Sequence, residues 1–165
     1  MSSGKNAIAT LQSQSVTGFV FFHQCDAQKP VKVKFYINGP PNQTHAIHIH
    51  EFGDLRKGCE SLGSHFNPTM ETHGNIFHNM PRHAGDLINN IVFNKDGLFH
   101  YEYNDHSISL YPNIYSIIGR SIVIHEKPDD LGLGKGKNKE ESLKTGNAGK
   151  RICCAIIGLA INEHF

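Results

Sequence analysis

Residues 31–38 read VKVKFYIN. Val31, Val33, Phe35 and Ile37 alternate with Lys32, Lys34, Tyr36 and Asn38, and strand side chains alternate between two faces. The stretch predicts an antiparallel strand with one face in a core and the other in water. Similar runs, rich in β-branched and aromatic residues, lie on either side: Thr17–Gln24 (TGFVFFHQ), Asp86–Asn94 (DLINNIVFN) and Leu98–Asn104 (LFHYEYN). Further strands are expected at Asn6–Gln12, His45–Glu51, Ile117–His125 and Arg151–Ile161. Turn residues punctuate these runs at Asn38-Gly39-Pro40-Pro41 and Lys95-Asp96-Gly97, and Asp96-Gly97 predicts a hairpin. No segment holds an amphipathic helix of four turns. About eight strands in one domain predicts an all-β sandwich or barrel.

The 165 residues suffice for a single domain, 1–165, with a real core. Net charge is +1, from 16 basic and 15 acidic residues. That balance argues against nucleic acid or an anionic membrane as partner. No stretch approaches the ~20 apolar residues of a membrane span. The opening MSSGKNAIATLQSQS lacks the pattern of a secretory leader. A soluble cytoplasmic protein is therefore expected. The wealth of Ile, Asn and Lys hints at an AT-rich genome, of a protist or a large DNA virus; if viral, the location would be the host cytoplasm. Of the four cysteines, Cys25, Cys59, Cys153 and Cys154, none forms a C-x-x-C, and the default for scattered cysteines is free and buried.

Two stretches interrupt the strands. Phe52–Gly85 carries Cys59, His65, His73, His78 and His83; Glu126–Lys150 is rich in glycine and lysine. Long structureless loops in a compact domain are suspect unless functional, or, for the second, a disordered charged insertion. The chain holds 12 histidines, most of them between His45 and His125. In the stretch HAIHIH (45–50), His48 and His50 share a strand face and can grip one ion, whereas His45 has the opposite parity. His65, His73, His83, Asp86 and His125 lie in or beside the two loops. Six histidines and a carboxylate exceed one tetrahedral site and suffice for two if one ligand is shared. Imidazole suits copper and zinc, and a carboxylate among histidines suits zinc better than cuprous copper.

The motifs HIHEFGD (48–54), GSHFNP (63–68), RHAGD (82–86), GRSIVIHEKPDD (119–130) and KTGNAGKRICC (144–154) resemble those of the copper/zinc superoxide dismutases, specifically the eukaryotic intracellular type. The resemblance runs over nearly the whole chain. It implies an eight-stranded Greek-key β-barrel or sandwich with two long functional loops. It also implies dismutation of superoxide to oxygen and hydrogen peroxide by a redox-cycling copper bridged through His65 to a structural zinc. The implied copper ligands are His48, His50, His65 and His125; the implied zinc ligands are His65, His73, His83 and Asp86. His45 would be a structural histidine, Asp129 the carboxylate linking a copper-side to a zinc-side histidine, Arg151 the charge beside copper, and Thr145 its neighbour across the channel. Arg151 and His65 would be the catalytic pair, one steering the anion and one handling a proton. Cys59 and Cys154 would form a disulfide; adjacent strand residues face opposite ways, so only one of Cys153 and Cys154 can meet the loop, and the resemblance selects Cys154.

The implied partners are superoxide, a second copy of the chain and a copper chaperone. Dimer contacts would fall near Phe52, Gly53, Ile118 and the last strand, with the tail Ile161–Phe165 extending past the family's usual end. The second loop looks longer and richer in lysine than the family pattern, so Lys135, Lys137 and Lys139 are expected to steepen the salt dependence of the rate. The segment between His73 and His83 adds His78, either a solvent-facing residue or an alternative zinc ligand. The competing reading is a catalytically silent metal-binding or chaperone module of the same fold; here no copper ligand and no arginine is missing.

Overall fold

Val31–Asn38 is a strand in the computed structural model, which describes residues 4–161. The strands are β1 Lys5–Gln12, β2 Thr17–Gln24, β3 Val31–Asn38, β4 Thr44–His50, β5 Arg56–Cys59, β6 Asn90–Val92, β7 Leu98–Asp105, β8 Ser121–His125, β9 Arg151–Ile156 and β10 Gly158–Leu159. They form two antiparallel sheets, β10-β1-β2-β3-β7 and β6-β4-β8-β9, with β5 outside both. The chain leaves β3, runs through β4 and β6 in the other sheet, and returns to lay β7 beside β3. This is the Greek-key crossing.

Alternation builds the core. Val31, Val33, Phe35 and Ile37 are fully buried while Lys32, Lys34 and Tyr36 are half-buried. They pack with Val20 and Phe22 of β2, Ile47 and Ile49 of β4, and Ile122 and Ile124 of β8 in one cluster between the sheets. The ring of Phe35 meets Phe99 edge-on, with centroids 5.7 Å apart. Each such aromatic contact contributes about 0.5–1.5 kcal/mol beyond the area it buries.

Several expectations need correction. The predicted strand Asp86–Asn94 shrinks to β6, because Asp86 closes a 3-10 turn and Leu87 and Asn89 follow with φ of 48° and 62°. Asp96-Gly97 does not close a hairpin: β6 pairs with β4 and β7 with β3, so the turn hands the chain from one sheet to the other. Ile117–His125 is extended only from Ser121. The segment 126–150 is neither structureless nor a disordered insertion; it carries a 3-10 turn at Gly136–Asn138 and a helix, α1, at Lys139–Thr145. Helix α1 stops at Gly146, whose φ of 69° suits glycine. Of the free cysteines, Cys153 is buried but Cys25 is exposed. The tail residues 162–165, Phe165 included, lie outside the described residues.

Candidate metal centre

Strand β4 supplies the frame. One edge bonds to β6 over Thr44–Ala46, and the other bonds to β8 over Ile47–His50. Beyond β6, the loop after β5 takes over the first edge: Phe66 donates its amide to Ile49 O at 2.8 Å, and Gly85 donates to Phe66 O at 2.9 Å. His65 thereby lies beside His50, and Asp86 beside His65. Gly85 permits this, since a Cβ there would stand 2.3 Å from Ile49 O.

Eight predicted residues converge, none more than 6% exposed: His48, His50, His65, His73, His83, Asp86, His125 and Asp129. Their candidate ligand atoms fall into groups whose members lie within 4.8 Å of one another. The first group is His48, His50, His65 and His125. His50 Nε2 and His125 Nε2 are 3.3 Å apart, while His48 Nδ1 and His65 Nε2 are buried with no hydrogen-bond partner. Buried polar atoms normally find a partner. Two orphaned imidazole nitrogens within reach of two more could hold a cation, and four imidazoles suit copper. The second group is His65, His73, His83 and Asp86. The Nδ1 atoms of all three histidines lie 2.9–3.0 Å from Asp86 Oδ1. Three imidazoles and a carboxylate suit zinc. His65 belongs to both groups, by opposite nitrogens.

The other nitrogens are held by acceptors, which fixes which one is free to ligate. His48 Nε2 donates to Asp129 Oδ2 at 2.6 Å, and His73 Nε2 donates to Asp129 Oδ1 at 2.8 Å. His50 Nδ1 donates to Gly63 O at 2.9 Å and His125 Nδ1 to Gly149 O at 3.1 Å. His45, on the other face of β4, bonds the backbone instead: its Nδ1 donates to His125 O at 2.8 Å. Asn89, unmarked by the sequence reading, donates from Nδ2 to Asp129 Oδ2 at 3.1 Å and to Gly74 O at 2.7 Å. His78 stays outside both groups, its Nδ1 against Asn75 Oδ1.

Electrostatics set a testable pH response for the metal-free protein. Burial is the largest influence on His65 and His125 and depresses them to about 3 and about 4, below the ordinary 6.5. As pH falls below 6.5 the unfolded chain takes up these protons and the folded chain does not, so stability drops down to pH about 3. Burial opposes the charges of Asp86 and Asp129, but hydrogen bonds from the histidines outweigh it and hold both carboxyls below their usual range. Their contribution is likewise lost on acidification. His73 runs the other way: burial opposes its charge, but Asp129 and Asp86 raise it to about 9. Its contribution is full below 6.5 and is lost as pH rises through about 9. Denaturant midpoints of chelator-treated protein should therefore peak near neutral pH and fall on both sides. A midpoint that rises from pH 6.5 to 4 contradicts this.

A cavity of about 1040 Å³ leads to His50, His65 and His125. Arg151, from the start of β9, lines it and is clamped by two carbonyls, Nη1 donating to Cys59 O at 2.7 Å and Nη2 to Gly63 O at 2.6 Å. Gly63 O therefore serves both Arg151 and His50. Thr145 lines the same cavity and donates to Glu141 Oε1 at 2.7 Å. Cys59 is bonded to Cys154, closing a sequence separation of 95 residues. Lys135, Lys137 and Lys139, expected to steepen the salt dependence, lie outside the cavity; Lys127 and Lys144 line it instead. Lys144 is ion-paired with Glu140 at 2.7 Å, which leaves Lys127 the less compensated charge.

The family description "Copper/zinc superoxide dismutase (SODC)" matches residues 16–157. A Cu-Zn superoxide dismutase of Onchocerca volvulus is 46% identical over 155 residues, spanning 93% of this chain and 96% of its own. An extracellular Cu-Zn superoxide dismutase of Brugia pahangi is 44% identical over 157 residues, 93% of this chain and 76% of its own. Among solved structures, the crystal structure of the clock protein EA4 superposes with a TM-score of 0.85 at 40% identity, over 97% of this chain and 98% of that one. These findings overturn the expected cytoplasmic location. Relatives from Brugia pahangi, Onchocerca volvulus and Drosophila melanogaster are extracellular enzymes, and the chain carries a disulfide, a bond that reducing cytosol disfavours.

Proposed function

We propose how the residues of this chain divide the work of a copper/zinc superoxide dismutase, the family to which the chain belongs. Its reaction converts two superoxide anions and two protons into dioxygen and hydrogen peroxide. The single observation that carries the residue assignment is His65, whose Nδ1 faces the carboxylate group while its Nε2 is left unpartnered among His48, His50 and His125. His48, His50, His65 and His125 would hold copper, and His65, His73, His83 and Asp86 would hold zinc. Copper supplies one-electron redox chemistry when bound, and zinc supplies fixed charge without redox.

The chain's own groups do the rest. Arg151 offers the anion a fixed positive charge, and its two carbonyl clamps aim the guanidinium into the cavity. Thr145, anchored on Glu141, narrows the same channel. His65 Nε2 is the buried, unpartnered nitrogen that would handle a proton within reach of a small substrate. Asp129 keeps His48 and His73 in the tautomers that leave their Nδ1 atoms free. Metal content and superoxide dismutation measured on the same purified protein test the reading. Copper and zinc in equal amounts with activity support it, and full copper occupancy without activity overturns it.

Charge at the mouth sets the encounter rate. Focusing raises on-rates by roughly 10–10³, as the handling of superoxide by this family already exemplifies. Lys127→Ser should lower kcat/KM at low salt by up to about tenfold and flatten its salt dependence. Changing Lys135, Lys137 and Lys139 to Ser together should do less. Stopped-flow rates at several ionic strengths check both.

We assign residues 1–165 to one domain acting as a homodimer. Phe52 is 50% exposed and Ile156 40% exposed, and Gly53 packs against Gly119 and Ile156 between them. An apolar face of this kind is what a second copy would cover. The largely exposed segment 54–58 beside it, which runs into β5, would receive a copper-donating chaperone. The disulfide and the extracellular relatives support an extracellular enzyme.

A further inference from the structure

Away from the metal centre, three side chains at the open end of β1 and β2 form a chain of hydrogen bonds. Asn6 is 7% exposed, and its Nδ2 donates to Ile161 O at 3.1 Å. That fixes the amide so that Oδ1 faces His23 Nδ1, 2.7 Å away. Nδ1 must then carry the ring proton, which leaves His23 Nε2 as a bare acceptor. Cys25 Sγ lies 3.3 Å from this nitrogen, and Cys25 is exposed. A thiol, an imidazole that can take its proton and an amide that fixes the imidazole tautomer are the parts of an activated nucleophile. The other free thiol, Cys153, is 2% exposed and its pKa is pushed up by burial, which keeps it inert.

We propose that Cys25 is a redox modification site at which His23 activates the thiol for oxidation by hydrogen peroxide, the product of the enzyme's own reaction. His23 Nε2 accepts the thiol proton, and the thiolate sulfur attacks one peroxide oxygen. An S–O bond forms and the O–O bond breaks; sulfur is oxidised, the peroxide is reduced, and the departing hydroxide recovers the proton from His23. The balance is Cys25–SH + H2O2 → Cys25–SOH + H2O. The inference rests on the dismutase reading only for the source of peroxide, so added peroxide tests it independently.

The other titratable groups around the dyad are Asp26, next in the chain, Tyr111, whose hydroxyl donates to Cys25 O at 3.4 Å, and Lys5, whose ammonium stands 4.6 Å from the Tyr111 ring centroid. The test treats the metal-loaded protein with hydrogen peroxide, traps sulfenic acid with dimedone and maps the adduct by mass spectrometry. The adduct should map to Cys25 and be absent from Cys25→Ser. His23→Gln should slow Cys25 alkylation by iodoacetamide by up to about thirtyfold at neutral pH, since an ordinary thiol of pKa about 8.5 is already a few per cent ionised there. Above the ordinary thiol pKa of about 8.5, where no base is needed, the two rates should converge. Asn6→Leu, which removes the acceptor that fixes the His23 tautomer, should show the same pH-dependent deficit at smaller size. Equal rates in wild type and His23→Gln at neutral pH, a deficit that persists at high pH, or no adduct on Cys25 would each overturn the proposal.

Discussion

Asp129→Asn is expected to lower metal affinity and activity by about 10–100-fold, although the side chain lies outside both proposed ligand sets. Each carboxylate oxygen accepts two hydrogen bonds: Oδ1 from His73 Nε2 and the Leu131 amide, Oδ2 from His48 Nε2 and Asn89 Nδ2. An amide keeps one acceptor and turns the other into a donor. If the new NH2 faces His48, that ring must present a bare Nε2 and move its proton to Nδ1, the orphaned atom of the first group. If it faces His73, the proton moves to the Nδ1 that lies beside Asp86. Either orientation blocks one ligand atom, so the choice decides which ion suffers. Titrating chelator-treated variant with each metal, beside an activity assay, should show a selective loss. Wild-type affinity for both metals would refute the argument.

Cys59→Ser carries the second large effect. The bond closes a loop of nearly a hundred residues, which in the chain-entropy account stabilises the fold by about 4.7 kcal/mol. For a chain of this size that corresponds to a loss of roughly 10–20 °C in thermal midpoint. Activity should fall further than instability alone explains, because Cys59 O is one of the two clamps on Arg151. Calorimetry of the metal-loaded variant measures the first effect, and the rate well below its midpoint measures the second. Cys25→Ser, at an exposed thiol, is the control that should leave the midpoint unmoved. A Cys59→Ser midpoint within a degree or two of wild type would rule the estimate out.

Parity made much of this legible in advance. Alternation in VKVKFYIN gives the burial pattern of β3, and the i, i+2 spacing of His48 and His50 puts both rings in one group while His45 faces the other way. Periodicity reports the face of a strand but not its partner, which is why the Asp96-Gly97 turn looked like a hairpin and is a crossing between sheets. The site's supports were hidden for another reason. Gly63, Gly149 and Cys59 act through backbone carbonyls, which every residue has, so no side-chain pattern marks them. Asn89 is a similar case, one of two adjacent asparagines with nothing to distinguish it until the loop brings it to Asp129. Lys127 sits just past β8, outside the lysine-rich run that drew attention, and only the cavity shows which charges matter.

The position of β9 and β10 in the chain has a kinetic consequence. Arg151, Cys154 and the strand that pairs with β1 all fall within the last residues of the fold, and β10 bonds to a strand made first, Ala7 opposite Leu159. During synthesis the growing chain can assemble β1, β2, β3 and β7, and β4 with β6 and β8, yet it leaves β1 and β8 each with one open edge. Pairings so distant in sequence come late and slowly. The nascent protein thus spends most of its time on the ribosome with exposed strand edges, a state prone to aggregation. Arg151, the Cys59–Cys154 bond and the second neighbour of β1 all become available only with these late strands.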